Sequence, residues 1–167
     1  DHRDLHSFPT RRSSDLLPMR CTMETQNFRP PKEQELIFSA YTDAGRYCDV
    51  LGVQLDSKKL THYTSTAAIY DEPEGIFPDG QSTLVECDQQ SGKGPGYIDI
   101  WKLRLDGSGH YERLTFVSDY PGYKASNPVV SDDGRFIAFQ LGMAQNAAGV
   151  GHGLFLYDIG KAEKGKR

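Results

Sequence analysis

The stretch from Asn127 to Gln140 is an apolar run (Pro128-Val129-Val130), a polar cluster closing on Asp133-Gly134, and a second apolar run (Phe136-Ile137-Ala138-Phe139). Two short apolar segments joined by Asp-Gly predict a strand, a tight turn and a strand, because glycine supplies the positive φ that a two-residue hairpin needs. The pattern recurs. Laying Gly80 on Gly134 aligns residues 74–86 with it, and the same offset carries Leu60-Thr61 onto Leu114-Thr115 and the Leu103–Leu105 alternation onto Tyr157–Ile159. Between these hairpins, Ile98 to Asp106 alternates apolar and polar positions, and Val53 and Leu55 alternate with Gln54 and Asp56, the period of two of a strand with one buried face. A strand-and-turn unit repeating every 40–55 residues or so predicts propeller blades of four strands each.

The fullest copy runs over residues 64–115. Its expected elements are an innermost strand at Gly75-Ile76-Phe77, the turn at Asp79-Gly80, a second strand at Leu84-Val85, a loop at 89–96, the alternating strand from Ile98, and an edge strand ending at Leu114-Thr115. The copy over 116–160 shows Pro128-Val129-Val130, Phe136–Phe139 and Leu154–Ile159, and stops before a fourth strand. The copy over 17–63 is degraded at its turn, Pro30-Pro31-Lys32-Glu33, and reads as incomplete. The fold class is therefore all-β: a β-propeller fragment of about three blades. A closed propeller usually takes 4–8, so further blades of a longer chain are the first partner expected.

Composition narrows the picture at the ends. Residues 1–16 resemble the translation of a common short-read sequencing adapter and are set aside from the fold, against the alternative of a natural basic arm carrying Arg11-Arg12. Residues 161–167 form a charged tail, which is ordinarily solvated. A formal net charge of −4 offers no basic footprint for nucleic acid. No apolar run approaches the roughly 18 residues of a membrane span, and the mean hydropathy is −0.58. Cys21, Cys48 and Cys87 lack metal-ligand spacing and an even count, and read as buried small apolar residues.

Two of these segments carry a resemblance. Phe77-Pro78-Asp79-Gly80 and Ser131-Asp132-Asp133-Gly134-Arg135-Phe136-Ile137-Ala138-Phe139 resemble the Ser-Pro-Asp-Gly-Lys-x-Ile-Ala-Phe signature of the TolB-like, WD40-related β-propeller repeat. Ile100-Trp101-Lys102-Leu103-Arg104-Leu105-Asp106-Gly107 followed by Leu114-Thr115 is similar to its other half. The resemblance implies a propeller over residues 28–160. It leaves several roles open, since such blades occur in periplasmic Tol-system proteins, in prolyl-oligopeptidase-type serine peptidases and in oligogalacturonate-lyase-like enzymes. It also implies a periplasmic or secreted setting.

Catalytic chemistry is sparse. The sequence holds no Gly-x-Ser-x-Gly elbow and no His-Glu-x-x-His, and Gly92-Lys93-Gly94 sits in a loop without the strand and helix of a phosphate site. His62, His110 and His152 fall one per copy at non-equivalent places, so no catalytic residue, metal or cofactor is expected. The blade-to-blade connections, read as 64–74 and 116–127, are rich in tyrosine and carboxylates. Loops entering the inner strands gather at one mouth of a propeller channel. Glu72, Glu74, Tyr120, Tyr123, Lys124 and Asn127 are therefore the candidate ligand-binding residues, suited to a protein or saccharide partner. The competing reading has the tyrosines packed under the connections and the glutamates solvated. A non-catalytic recognition module of the TolB-like kind is the expected function, with the propeller part of a peptidase or lyase as the alternative.

Overall fold

The structure, a computed structural model, describes residues 21–66, 68–147 and 149–162; the adapter-like residues 1–16 and the end of the tail lie outside them. Its strands are β1 (Thr22–Phe28), β2 (Glu35–Thr42), β3 (Tyr47–Gln54), β4 (Leu60–His62), β5 (Asp71–Ile76), β6 (Ser82–Cys87), β7 (Asp99–Arg104), β8 (Tyr111–Arg113), β9 (Tyr123–Val130), β10 (Phe136–Met143) and β11 (Leu154–Asp158), followed by a single helical turn, α1 (Ile159–Ala162). They form three antiparallel sheets in the orders β1-β2-β3-β4, β5-β6-β7-β8 and β9-β10-β11. Each sheet is a meander with the first strand at one edge.

Two readings need correction. The first sheet is complete, because β1 supplies the strand that appeared to be missing. Thr22-Met23-Glu24-Thr25-Gln26-Asn27-Phe28 is polar on both faces, so hydrophobic periodicity is silent there. The inner strands β5 and β9 also begin earlier than expected, at Asp71 and Tyr123. Asp71-Glu72-Pro73-Glu74-Gly75 has poor strand propensity, and pairing with β6 overrides it. All three inner strands carry a register shift against their neighbours, between Thr25 and Asn27, between Pro73 and Ile76, and opposite Ala138 and Gln140. A bulge bends its strand and re-aims side chains. Gln26, Glu74 and Asn127 all lie within these shifts.

The sheets pack face to face. The first seam joins Ile37, Val50 and Tyr63 to Ile76, Val85, Cys87, Leu103 and Leu105. The second joins Phe77, Leu84 and Ile100 to Ala125, Ile137 and Phe139. The second sheet is thus covered on both faces, and β6 is buried at every position. On the third sheet, the face away from the second exposes Val129, Leu154 (87% exposed) and Leu156. Under the repeat offset Leu154 corresponds to Ile100, which is fully buried beneath the third sheet.

Consecutive sheets approach each other closely at their inner strands and turns. A Cβ on Gly75 of β5 would lie 3.0 Å from the Val130 nitrogen of β9. Gly80, at φ +69°, faces the Pro30 carbonyl so closely that a Cβ would overlap it. The Arg29 Nε donates to the Gly80 carbonyl at 2.6 Å and Nη2 to the Leu105 carbonyl at 2.9 Å, while Nη1 reaches Glu35 (2.9 Å) and the Tyr63 hydroxyl (2.8 Å). In the second seam Pro78 takes the place of Pro30, 3.4 Å from the Cβ position of Gly134.

Replacing Gly80 with alanine combines left-handed strain with a clash against backbone, whereas Gly107, at φ +78° with open space around it, meets the strain alone. Gly107→Ala should cost about 1 to 2 kcal/mol. Gly80→Ala should cost clearly more, read as a larger drop in the urea midpoint at constant slope. Equal costs would show that the turn contact with Pro30 does not hold the first seam.

Candidate functional site

The inner strands build a pocket of about 420 Å³ where the second and third sheets meet. Glu72 and Glu74 enter from β5, Lys124, Ser126 and Asn127 from β9, Glu86 from β6 and Glu24 from β1. Loop residues before β7 (Pro95, Gly96, Ile98) and after β10 (Ala144, Asn146) form the rim. Four of the six sequence-predicted residues, Glu72, Glu74, Lys124 and Asn127, are brought together here. They stand on strands rather than on connecting loops.

The pocket is organised by hydrogen bonds to its carboxylates. Both Tyr41 and Tyr70 donate their hydroxyls to Glu72, and the Tyr41 hydroxyl also lies 3.1 Å from Glu24 Oε2. The Asn127 N–H donates to Glu86 Oε1 from a left-handed backbone conformation, φ +51°, which a short amide side chain tolerates. The Gln140 amide fixes this corner by donating to Asn127 Oδ1 and to Ser126 Oγ at 3.1 Å. Lys124 is buried, and its ammonium reaches the Asn146 carbonyl at 3.4 Å.

Crowding carboxylates in a half-dry pocket disfavours their charged forms. Burial raises the Glu74 carboxyl to about 8, with Glu72 and Glu24 adding repulsion. Burial likewise raises Glu86 to about 8, with Glu72 adding to the shift and the Asn127 N–H and Lys124 opposing it. Among the described residues no three His, Cys, Asp or Glu side chains converge as metal donors. Glu24, Glu86 and Tyr70 escaped sequence reading. The available signal was Glu86, a single acid in the otherwise uncharged strand Ser82–Cys87.

Tyr120 and Tyr123 lie apart from this pocket. With Phe116, Val117 and Leu141 they line a separate apolar hollow of about 480 Å³ in the same seam. The turn beneath it is tied to Asp99, which is fully buried and accepts from Thr115 Oγ1 (2.7 Å), Val117 N (2.8 Å), Ser118 N (3.3 Å), the Ser118 hydroxyl and Arg113 Nη2 (2.7 Å). Asp49 repeats the arrangement in the first sheet, accepting from Thr64 Oγ1 and Thr66 N, each at 3.2 Å. The three histidines remain scattered: His62 is on β4, His110 borders β8, and the His152 ring pairs with the Asn146 amide at 2.6 Å.

No protein-family model and no curated protein matches the chain. Solved structures do. A candidate TolB from Agrobacterium tumefaciens superposes with a TM-score of 0.63 at 20% identity, covering 83% of this chain and 46% of that one. TolB from Acinetobacter baumannii gives 0.56 at 20% identity over 78% of this chain and 28% of that one. A prolyl endopeptidase gives 0.54 at 15% identity over 81% and 22%. The fold is a β-propeller. At these identities the likeness speaks for the fold alone, and the chain spans less than half the length of each of these structures. Among the described residues no helix is long and apolar enough to cross a membrane.

The raised carboxyls make stability depend on pH. An unfolded glutamate titrates near 4.3, so the folded state holds the extra protons between there and about 8. The contribution of Glu74 and Glu86 is complete at pH 4 and is lost as pH rises through that window. Glu86→Gln keeps an acceptor for the Asn127 N–H but removes the titration. Its stability relative to the parent protein should therefore increase steadily from pH 5 to pH 8.5 in urea titrations at each pH. A difference that stays flat would place the Glu86 carboxyl at its ordinary value.

Proposed function

We propose that the chain is part of a non-catalytic propeller recognition module that binds a protein partner through a cationic side chain inserted into the inner-strand pocket. The observation that carries this reading is the collection of Glu24, Glu72, Glu74 and Glu86, from three strands, around one cavity whose lining holds a single cation, Lys124. A lysine or arginine head entering there meets acceptors on several sides. It would draw the Glu74 proton off and replace carboxylate repulsion with attraction. Tyr70 and Tyr41 hold Glu72 in place before the partner arrives, which lowers the ordering cost of binding. Asn127 and Lys124 belong to the β9 wall. A periplasmic or secreted setting belongs with this reading.

The apolar stripe of Val129, Leu154 and Leu156 supports a second element of the proposal, a further blade packed on the third sheet, since Ile100, the counterpart of Leu154 in the second sheet, is covered that way. The alternative, a propeller that filters substrates for a catalytic domain, draws on the likeness to a prolyl endopeptidase. An α/β-hydrolase pattern in a longer reading frame would favour it.

Calorimetry with short lysine-bearing peptides and their acetyl-lysine counterparts tests the pocket. The charged peptides should bind, acetylation should abolish binding, and Glu74→Gln should weaken it by about tenfold or more. Peptides that bind equally well after acetylation would overturn the proposal.

A further inference from the structure

The hollow at Tyr120 and Tyr123 is chemically unlike the acidic pocket and sits in a seam covered by two described sheets, so its exposure does not depend on what packs beyond the third sheet. Phe116 is 56% exposed, Tyr120 69% and Tyr123 41%. Three large rings held out to solvent around one hollow are the informative kind of surface, since scattered apolar residues need no explanation whereas a contiguous patch does. The fold does not demand them. The equivalent connection in the first seam, built on Asp49 as this one is on Asp99, carries Ser65 where the second has Phe116. Between matching strand positions, Thr64 to Asp71 and Thr115 to Ala125, the second connection is three residues longer, and its added length holds the Tyr120-Pro121-Gly122 tip.

The lining is also electrically neutral. The nearby cation, the Arg113 guanidinium, lies 4.6 Å from the Phe116 ring centroid and is already bonded to Asp99 at 2.7 Å and Asp119 at 2.6 Å. Neither an anion nor a cation finds an opposing free charge. A neutral ring with polarised C–H groups on its face does find complements in the electron-rich Phe116, Tyr120 and Tyr123 rings that line the hollow. The five bonds to Asp99 hold the turn in advance of binding. We infer that this hollow binds a neutral saccharide, with a sugar ring stacked on Tyr120 and Tyr123. The site is independent of the acidic pocket.

The inference is tested on the full chain by calorimetry and tyrosine fluorescence with cellohexaose, maltohexaose and chitohexaose, alongside trigalacturonate and a proline decapeptide. At least one neutral oligosaccharide should bind. Tyr120→Ala and Tyr123→Ala should each weaken it by about tenfold, and Tyr120→Phe, which keeps the ring, should stay within about threefold. Both tyrosines are well exposed, so circular dichroism should show the fold intact. Glu74→Gln should leave this binding unchanged, so that a failure here and a failure of the acidic pocket are told apart. Three results would each overturn the inference: no neutral oligosaccharide bound at millimolar concentration, binding indifferent to both tyrosine substitutions, or ring-dependent binding of the proline decapeptide alone.

Discussion

The convergence of inner strands and turns is the constraint on which the rest of this structure depends. Sheets stacked about a common axis have the least room near it, and there the chain uses atoms it cannot enlarge. Gly75 faces the β9 backbone, and Gly80 faces the Pro30 carbonyl. Arg29 ties the same corner with donors to two sheets, satisfying the Gly80 and Leu105 carbonyls that the close approach removes from water. Beyond these contacts the seams are filled by ordinary apolar packing of Val, Leu and Ile.

The same convergence generates the pocket. Bulges bend the inner strands, and the polar residues within them, Glu74 and Asn127, come to line the space between sheets. Carboxylates that would be unremarkable on a surface strand become mutually repulsive and partly dry, which raises Glu74 and Glu86. The cost is tolerated because Tyr41, Tyr70 and the Asn127 N–H provide hydrogen bonds.

Aspartates organise the connections. Asp49 and Asp99 each sit at or beside the head of the third strand of their sheet and gather the N–H and hydroxyl groups of the following connection. With the turn fixed by the aspartate, the residues displayed on it are free to differ, and the two connections do differ: serine and threonine on one, three exposed aromatic rings on the other. Scaffold and display are separated along a few residues of chain.

The sequence by itself determined the sheets. The Asp79-Gly80 and Asp133-Gly134 turns, the alternation from Ile98 to Asp106 and the repeat that relates them are local properties, governed by backbone sterics and by the period of two, and they predicted the blades. Strands lacking that signature were illegible: β1 is polar on both faces, the front half of β5 holds Asp71, Glu72 and Pro73, and that of β9 holds Lys124 and Ser126, so only pairing with a neighbour makes them strands. Their extent decided the site. Reading Glu72, Glu74, Lys124 and Asn127 as loop residues placed them with Tyr120 and Tyr123 at one mouth, whereas the tertiary structure separates a charged pocket from a neutral hollow. Glu86 and Glu24 joined the first only because strands distant in sequence meet at the axis, and no local pattern encodes which side chains a seam will bring face to face.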